Sequence, residues 1–158
     1  RLSDEVWGPA LLAGILGLVA MLLFQGVLSR LITFPQQQDI DVSKYSPLTV
    51  FLWVLMSAAV AGVSEEASFR GYMQGLIERR HGPAIAILVT GIFFGLAHFS
   101  HAETTLALMP FYLAVAAVYG TLAYLTNSIY PGMVFHAGGN VFAAINLFVA
   151  GRSNRCMQ

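Results

Sequence analysis

The chain has 158 residues, the length of one ordinary domain, but 57% of them are hydrophobic and only 10% charged, and the mean hydropathy is +0.70. So apolar a composition excludes an ordinary water-soluble fold and makes lipid the expected solvent. Eight basic residues balance eight acidic ones, which leaves no cationic surface for nucleic acid, and the single cysteine, Cys156, can form neither an internal disulfide nor a thiolate-rich metal site.

A helix needs roughly 20 apolar residues to cross a hydrocarbon layer about 30 Å thick. Residues 10–29 meet that length; acidic Asp4 and Glu5 precede them and no small-x-small cleavage end follows, so they read as a retained helix rather than a signal peptide. Residues 34–46, with Pro35, three glutamines, Asp39, Asp41 and Lys44, form a polar loop. From Pro47 to Arg80 the only breakers are Gly62, Gly71 and Gly75. A single helix there would be about 50 Å long at 1.5 Å per residue, so it must tilt, kink near Gly62 or protrude at Glu78-Arg79-Arg80.

His81-Gly82-Pro83 reads as a turn, with glycine ending one helix and proline opening the next. Residues 83–99 are a further apolar run, and 105–125 and 129–150 are each long enough to span, with Thr126-Asn127-Ser128 turning the chain between them. The expected fold is an all-α, polytopic membrane bundle of about five transmembrane helices, with a sixth if the second run breaks. It divides into an N-terminal helix and loop (1–46), a four-helix membrane core (47–151) and a C-terminal tail (152–158). Basic residues fall almost evenly at the two ends of the bundle, so the charge rule leaves sidedness and the identity of the membrane open.

All but three charged residues lie in termini, loops or run ends; the exceptions are Glu65, Glu66 and Arg70. An ionisable group inside a bilayer costs on the order of 3 kcal/mol on insertion scales, so it marks a functional site with a partner to be named. On an α-helix Glu66 and Arg70 share one face in the favourable order for an ion pair. Glu65 points about 100° away from Glu66 and is the carboxylate left over. A low-dielectric site disfavours the charged form of such a group and suits it to accept a proton near neutral pH.

His98 ends the apolar run Phe93-Phe94-Gly95-Leu96-Ala97. If the turn is centred between His81 and Gly82, residues equidistant from it face each other across an antiparallel hairpin, and Glu65 and His98 are level. Gly71 with Gly75, and Gly91 with Gly95, offer both helices small faces for close approach. In the last run His136 and Asn140 lie four apart on one face, two donors able to hold a developing oxyanion. Between them Gly138 and Gly139 weaken the helix, and a neighbouring helix or a peptide substrate is expected to approach there.

Glu65-Glu66-Ala67-Ser68-Phe69-Arg70-Gly71, Phe94-x-x-x-His98 and His136-x-x-x-Asn140 together resemble the three motifs of the CAAX prenyl protease and bacteriocin-processing family of intramembrane proteases, over residues 62–150. Ala67 departs from the larger aliphatic residue common in that family. The resemblance implies a glutamate-dependent, metal-independent endopeptidase acting on a peptide or a prenylated protein within the bilayer. It implies that Glu65 and His98 activate a water, that His136 and Asn140 form the oxyanion site, and that Glu66 and Arg70 support them. It calls for no cofactor.

Two rivals stand beside this reading. Two histidines and a glutamate are also a zinc ligand set, with His101 a possible fourth, although no His-Glu-x-x-His signature is present. A non-catalytic immunity or transport-like membrane protein would use the same polar cluster for binding or packing.

Overall fold

The computed structural model of the protein describes residues 4–33, 42, 44–100 and 105–156. Most of the polar loop at 34–46 lies outside the described residues, and so does His101. Every regular element among them is helical. Helix α1 spans Asp4–Leu31 and turns a row of large apolar side chains outward, Leu12, Leu16 and Leu23 among them, as a lipid-facing helix must.

Helix α2, Pro47–Glu65, starts with proline at its first position and with Ser46 as its cap; the Ser46 hydroxyl accepts the Thr49 N–H at 3.1 Å, satisfying one of the orphan donors of the first turn. The winding then changes. Residues Glu66–Gln74 are π-helical, and Gly75–His81 return to α as α3. Together they make one 35-residue rod, Pro47–His81. Of the three accommodations expected for so long a rod, a kink near Gly62 is not seen; the winding changes instead at Glu66, without interruption of the rod.

Gly82, with φ +79°, ends α3 in a backbone conformation that L side chains avoid. Helix α4, Pro83–Ala97, runs back from it and closes in a 3₁₀ turn at His98–Ser100. Helix α5, Met109–Thr126, ends at a left-handed Asn127, where the Ser128 N–H reaches back to the Ala123 carbonyl at 3.2 Å, as in a Schellman cap. Helix α6, Tyr130–Cys156, runs unbroken through the last predicted boundary at residue 151. Three segments, Glu5–Leu31, Pro47–His81 and Leu106–Thr126, are long and apolar enough to cross a membrane, and α4 is a shorter apolar helix.

Packing pairs α4 with α5 and α2 with α6, while α1 lies against α5 and α6. The glycine-lined approach differs in partner from the sequence expectation. A Cβ on Gly91 would come within 2.9 Å of Ala116, and one on Gly95 within 2.5 Å of the Met109 sulfur, so that face of α4 meets α5. Gly75 has no neighbour at such a position and Gly71 meets Ile129. The tight contact of α2 is instead at Gly62, where a Cβ would sit 3.0 Å from the Met133 carbonyl oxygen and the Ala137 nitrogen of α6. The hairpin register does hold one turn from the predicted pair: Phe69 and Phe94, equidistant from the turn, meet edge-on at 5.2 Å.

Candidate active site

The π-helical stretch places Glu66, Arg70 and Gln74 at four-residue intervals, and all three are buried, at 0%, 3% and 2% exposure. π-helical windings concentrate at functional sites. Three polar side chains at this depth need partners, and each finds a different one.

Arg70 Nη1 stands 3.1 Å from Glu66 Oε1. The angle lies outside hydrogen-bond geometry, and the guanidinium nitrogens make no hydrogen bond among the described residues. Its other surroundings are aromatic: the guanidinium lies 4.4 Å from the centre of the Phe94 ring and 5.7 Å from that of Tyr119, positions in which ring quadrupoles stabilise a cation. Gln74 donates from Nε2 to the Gly120 carbonyl at 2.9 Å and so ties the π-helical stretch to α5.

Glu66 Oε1 also meets His136 Nδ1 at 2.9 Å. The room for this carboxylate comes from α6, where a Cβ on Gly132 would fall 2.8 Å from Glu66 Oε2. The opposite ring nitrogen, His136 Nε2, faces Glu65 Oε2 at 3.6 Å, a separation at which a bridging water is the natural question. His136 therefore sits between the two adjacent carboxylates. They are not equivalent: the side chain of Glu66 is fully buried, whereas that of Glu65 keeps 28% of its surface open, with its Oε2 buried against His136.

His98 lies at the end of α4, its Nδ1 2.7 Å from the Phe94 carbonyl oxygen. Its ring packs on Tyr112 at 4.3 Å and on Phe94 at 4.6 Å. Phe94 also faces the His136 ring, at 6.3 Å, so one aromatic residue separates the two imidazoles. No hydrogen bond or ion pair joins His98 to Glu65, whose charged contact is with His136. Asn140 is half-buried one turn beyond His136 on α6. The approach expected at Gly138 and Gly139 is made by a side chain: the Tyr119 hydroxyl would lie 3.7 Å from a Cβ on Gly139, and Gly138 faces open space.

A cavity of about 780 Å³ adjoins this cluster toward the α5–α6 turn, lined among others by Arg70, Gln74, Glu78, Asn127 and Ser128. Among the described residues no group of three or more His, Cys, Asp or Glu is placed to hold a metal ion.

Sequence reasoning missed Gln74, Phe94 as a ring platform, and Tyr119. Gln74 could have been found, since it continues the four-residue series from Glu66 and Arg70. Tyr119 gave no signal, being one aromatic among many in an apolar run.

Helices that turn large apolar side chains outward around a buried carboxylate, guanidinium and imidazole, with a second, partly open carboxylate beside them, define an integral membrane protein of the polytopic α-helical class, with a polar site inside its bundle. The family model for type II CAAX prenyl endopeptidases, Rce1-like, matches residues 47–142, and the chain belongs to that family. It is accordingly an intramembrane endopeptidase of the CAAX protease type. The matched stretch contains all three motifs named above. No curated protein and no solved structure matches the chain.

Proposed function

We propose that the protein cuts a peptide bond in a membrane-borne substrate, a prenylated protein or peptide, using water activated by Glu65 and His98 and an oxyanion site formed by His136 and Asn140. The observation that carries this reading is the position of His136 between one sealed carboxylate and one open carboxylate. Glu66 is committed to Arg70 and to His136 Nδ1, and it acts as a support. Glu65 is the carboxylate whose side chain keeps 28% of its surface open, where Glu66 is sealed, and that access suits the proton acceptor that hydrolysis requires.

A His136 that carries a proton on each ring nitrogen donates from Nδ1 to Glu66 and keeps Nε2–H for the site. Nε2–H and the Asn140 amide, one turn apart on α6, are then two donors for the negative oxygen of the tetrahedral intermediate. Glu65 takes the proton from water and returns it to the leaving amine. His98, at the end of α4, is assigned the orientation of the attacking water. Neither a covalent intermediate nor a metal takes part in this scheme.

The test is cleavage of a farnesylated peptide ending in a C-a-a-X box, and of its unprenylated twin, by purified protein in lipid vesicles, with products read by mass spectrometry. Wild type is expected to release a C-terminal fragment and to prefer the prenylated peptide. Glu65→Gln should lower turnover by about 10²–10⁴-fold, the range for loss of a general base, and Asn140→Ala by about 10²–10³-fold, as for an oxyanion donor. A folded Glu65→Gln protein with wild-type turnover would remove the base from the scheme.

A further inference from the structure

The catalytic reading leaves Tyr119 unused, although it is the aromatic ring set flat against His136. The two rings are stacked, with centroids 5.3 Å apart and planes inclined by 20°, and Tyr119 is 3% exposed at the centre of the core cluster with Phe94 and Val115. The same ring stands beside the Arg70 guanidinium at 5.7 Å. The next residue, Gly120, accepts the hydrogen bond from Gln74 at 2.9 Å. That position has no spare room: a Cβ on Gly120 would lie 2.8 Å from Gln74 Oε1.

From this we infer that Tyr119 is a positioning residue for the hydrolytic reaction, its ring face fixing the plane of the His136 imidazole. Beside its covalent link at Cγ, the ring has the Glu66 contact at the adjacent Nδ1. Both restraints lie along one edge of the imidazole, so the ring can still tilt about that edge, and Nε2, at the far side, moves most when it does. The stacked Tyr119 face removes the tilt. Gln74 holds the backbone of α5 at the adjacent residue, so the aromatic wall and the Glu66 contact are both referred to the same π-helical stretch. An oxyanion donor is effective only when it is aimed before the charge develops, and a misplacement of 1 Å costs about 100-fold in rate.

The inference rests on the proposed role of His136, and it assigns the work to the ring face, with no part for the hydroxyl. Three variants in the vesicle cleavage assay test it. Tyr119→Phe keeps the face and should turn over within about threefold of wild type, whereas Tyr119→Met, similar in bulk but without a ring, should lose about 100-fold in kcat at unchanged KM. Either a Met variant with wild-type kcat, or a Phe variant as impaired as the Met one, overturns the inference. A Met variant whose kcat and KM both deteriorate also overturns it, because that is the mark of a damaged substrate site. If the Met protein does not fold, the Phe variant alone decides: retained turnover supports the ring and lost turnover rejects it. His136→Ala separates the two levels of argument. Wild-type activity there would sink the proposed function itself, whereas an inactive His136→Ala beside a fully active Tyr119→Met would sink only the role of Tyr119.

Discussion

Glu65 and Glu66 are the same residue type at consecutive positions, yet their surroundings give them opposite duties. Glu66 is sealed between Arg70 and His136, and removing one partner of a buried ion pair leaves an uncompensated charge, at a cost of about 3–5 kcal/mol. Glu65 is partly open and has no cationic side chain as close as Arg70 is to Glu66. Glu66→Gln is therefore expected to lower the midpoint of thermal unfolding followed by circular dichroism, whereas Glu65→Gln should unfold as wild type does while losing peptide cleavage. A Glu66→Gln protein as stable as wild type would show that Arg70 is compensated by its aromatic neighbours alone. At this scale the sequence was most legible where chemistry contrasts with its background: two acids and an arginine within an apolar run cannot be overlooked. Tyr119 has no such contrast, because an aromatic residue among aliphatic ones does not reveal which neighbour it will face.

Among the elements, the rod Pro47–His81 presents its polar side chains through a local change of winding, and sequence periodicity does not reveal that change. A four-residue spacing keeps side chains near one side of the rod in either winding, so the Glu66–Arg70 pairing was readable while the π-helical geometry was not. Small residues have a similar ambiguity. Gly91 and Gly95 announced a close approach, but not that the partner would be α5 in place of the preceding rod. Gly62 lets α2 lie against the backbone of α6, one turn from the carboxylates that meet His136. Gly62→Leu should therefore destabilise the fold by about 1–3 kcal/mol through overpacking. It should also abolish cleavage in whatever fraction remains folded, because the two carboxylates are lifted from the imidazole. Full activity in a folded Gly62→Leu protein would mean that the helix separation is not set at this contact.

For the whole molecule, composition already fixed the class, since a chain this apolar can bury its surface only in lipid, and the three long apolar segments carry that through. The helical pairings within the bundle were not readable, because lipid-facing and helix-facing apolar residues look alike in sequence. The zinc alternative is put to the test at this scale as well. Exhaustive dialysis against a strong chelator is expected to leave cleavage of the prenylated peptide unchanged, and a loss restored by added zinc, but not by magnesium, would reinstate a metal-dependent hydrolase. Denaturation during dialysis is distinguished by following helical content in the same sample.

The lengths of the two rods of the hairpin have one more consequence. The first, at 35 residues, exceeds a hydrocarbon layer about 30 Å thick, whereas α4, with 15 residues, covers only about 22 Å of it. A bilayer meets a short segment by pinching inward beside it, and His98 lies at the end of that segment. Interfacial water and the polar portion of a tethered chain are thereby drawn toward the reaction chamber from the side. Turnover should consequently rise in vesicles of shorter acyl-chain lipids and fall in thick ones, so that the surrounding lipid acts as an adjustable wall of the enzyme.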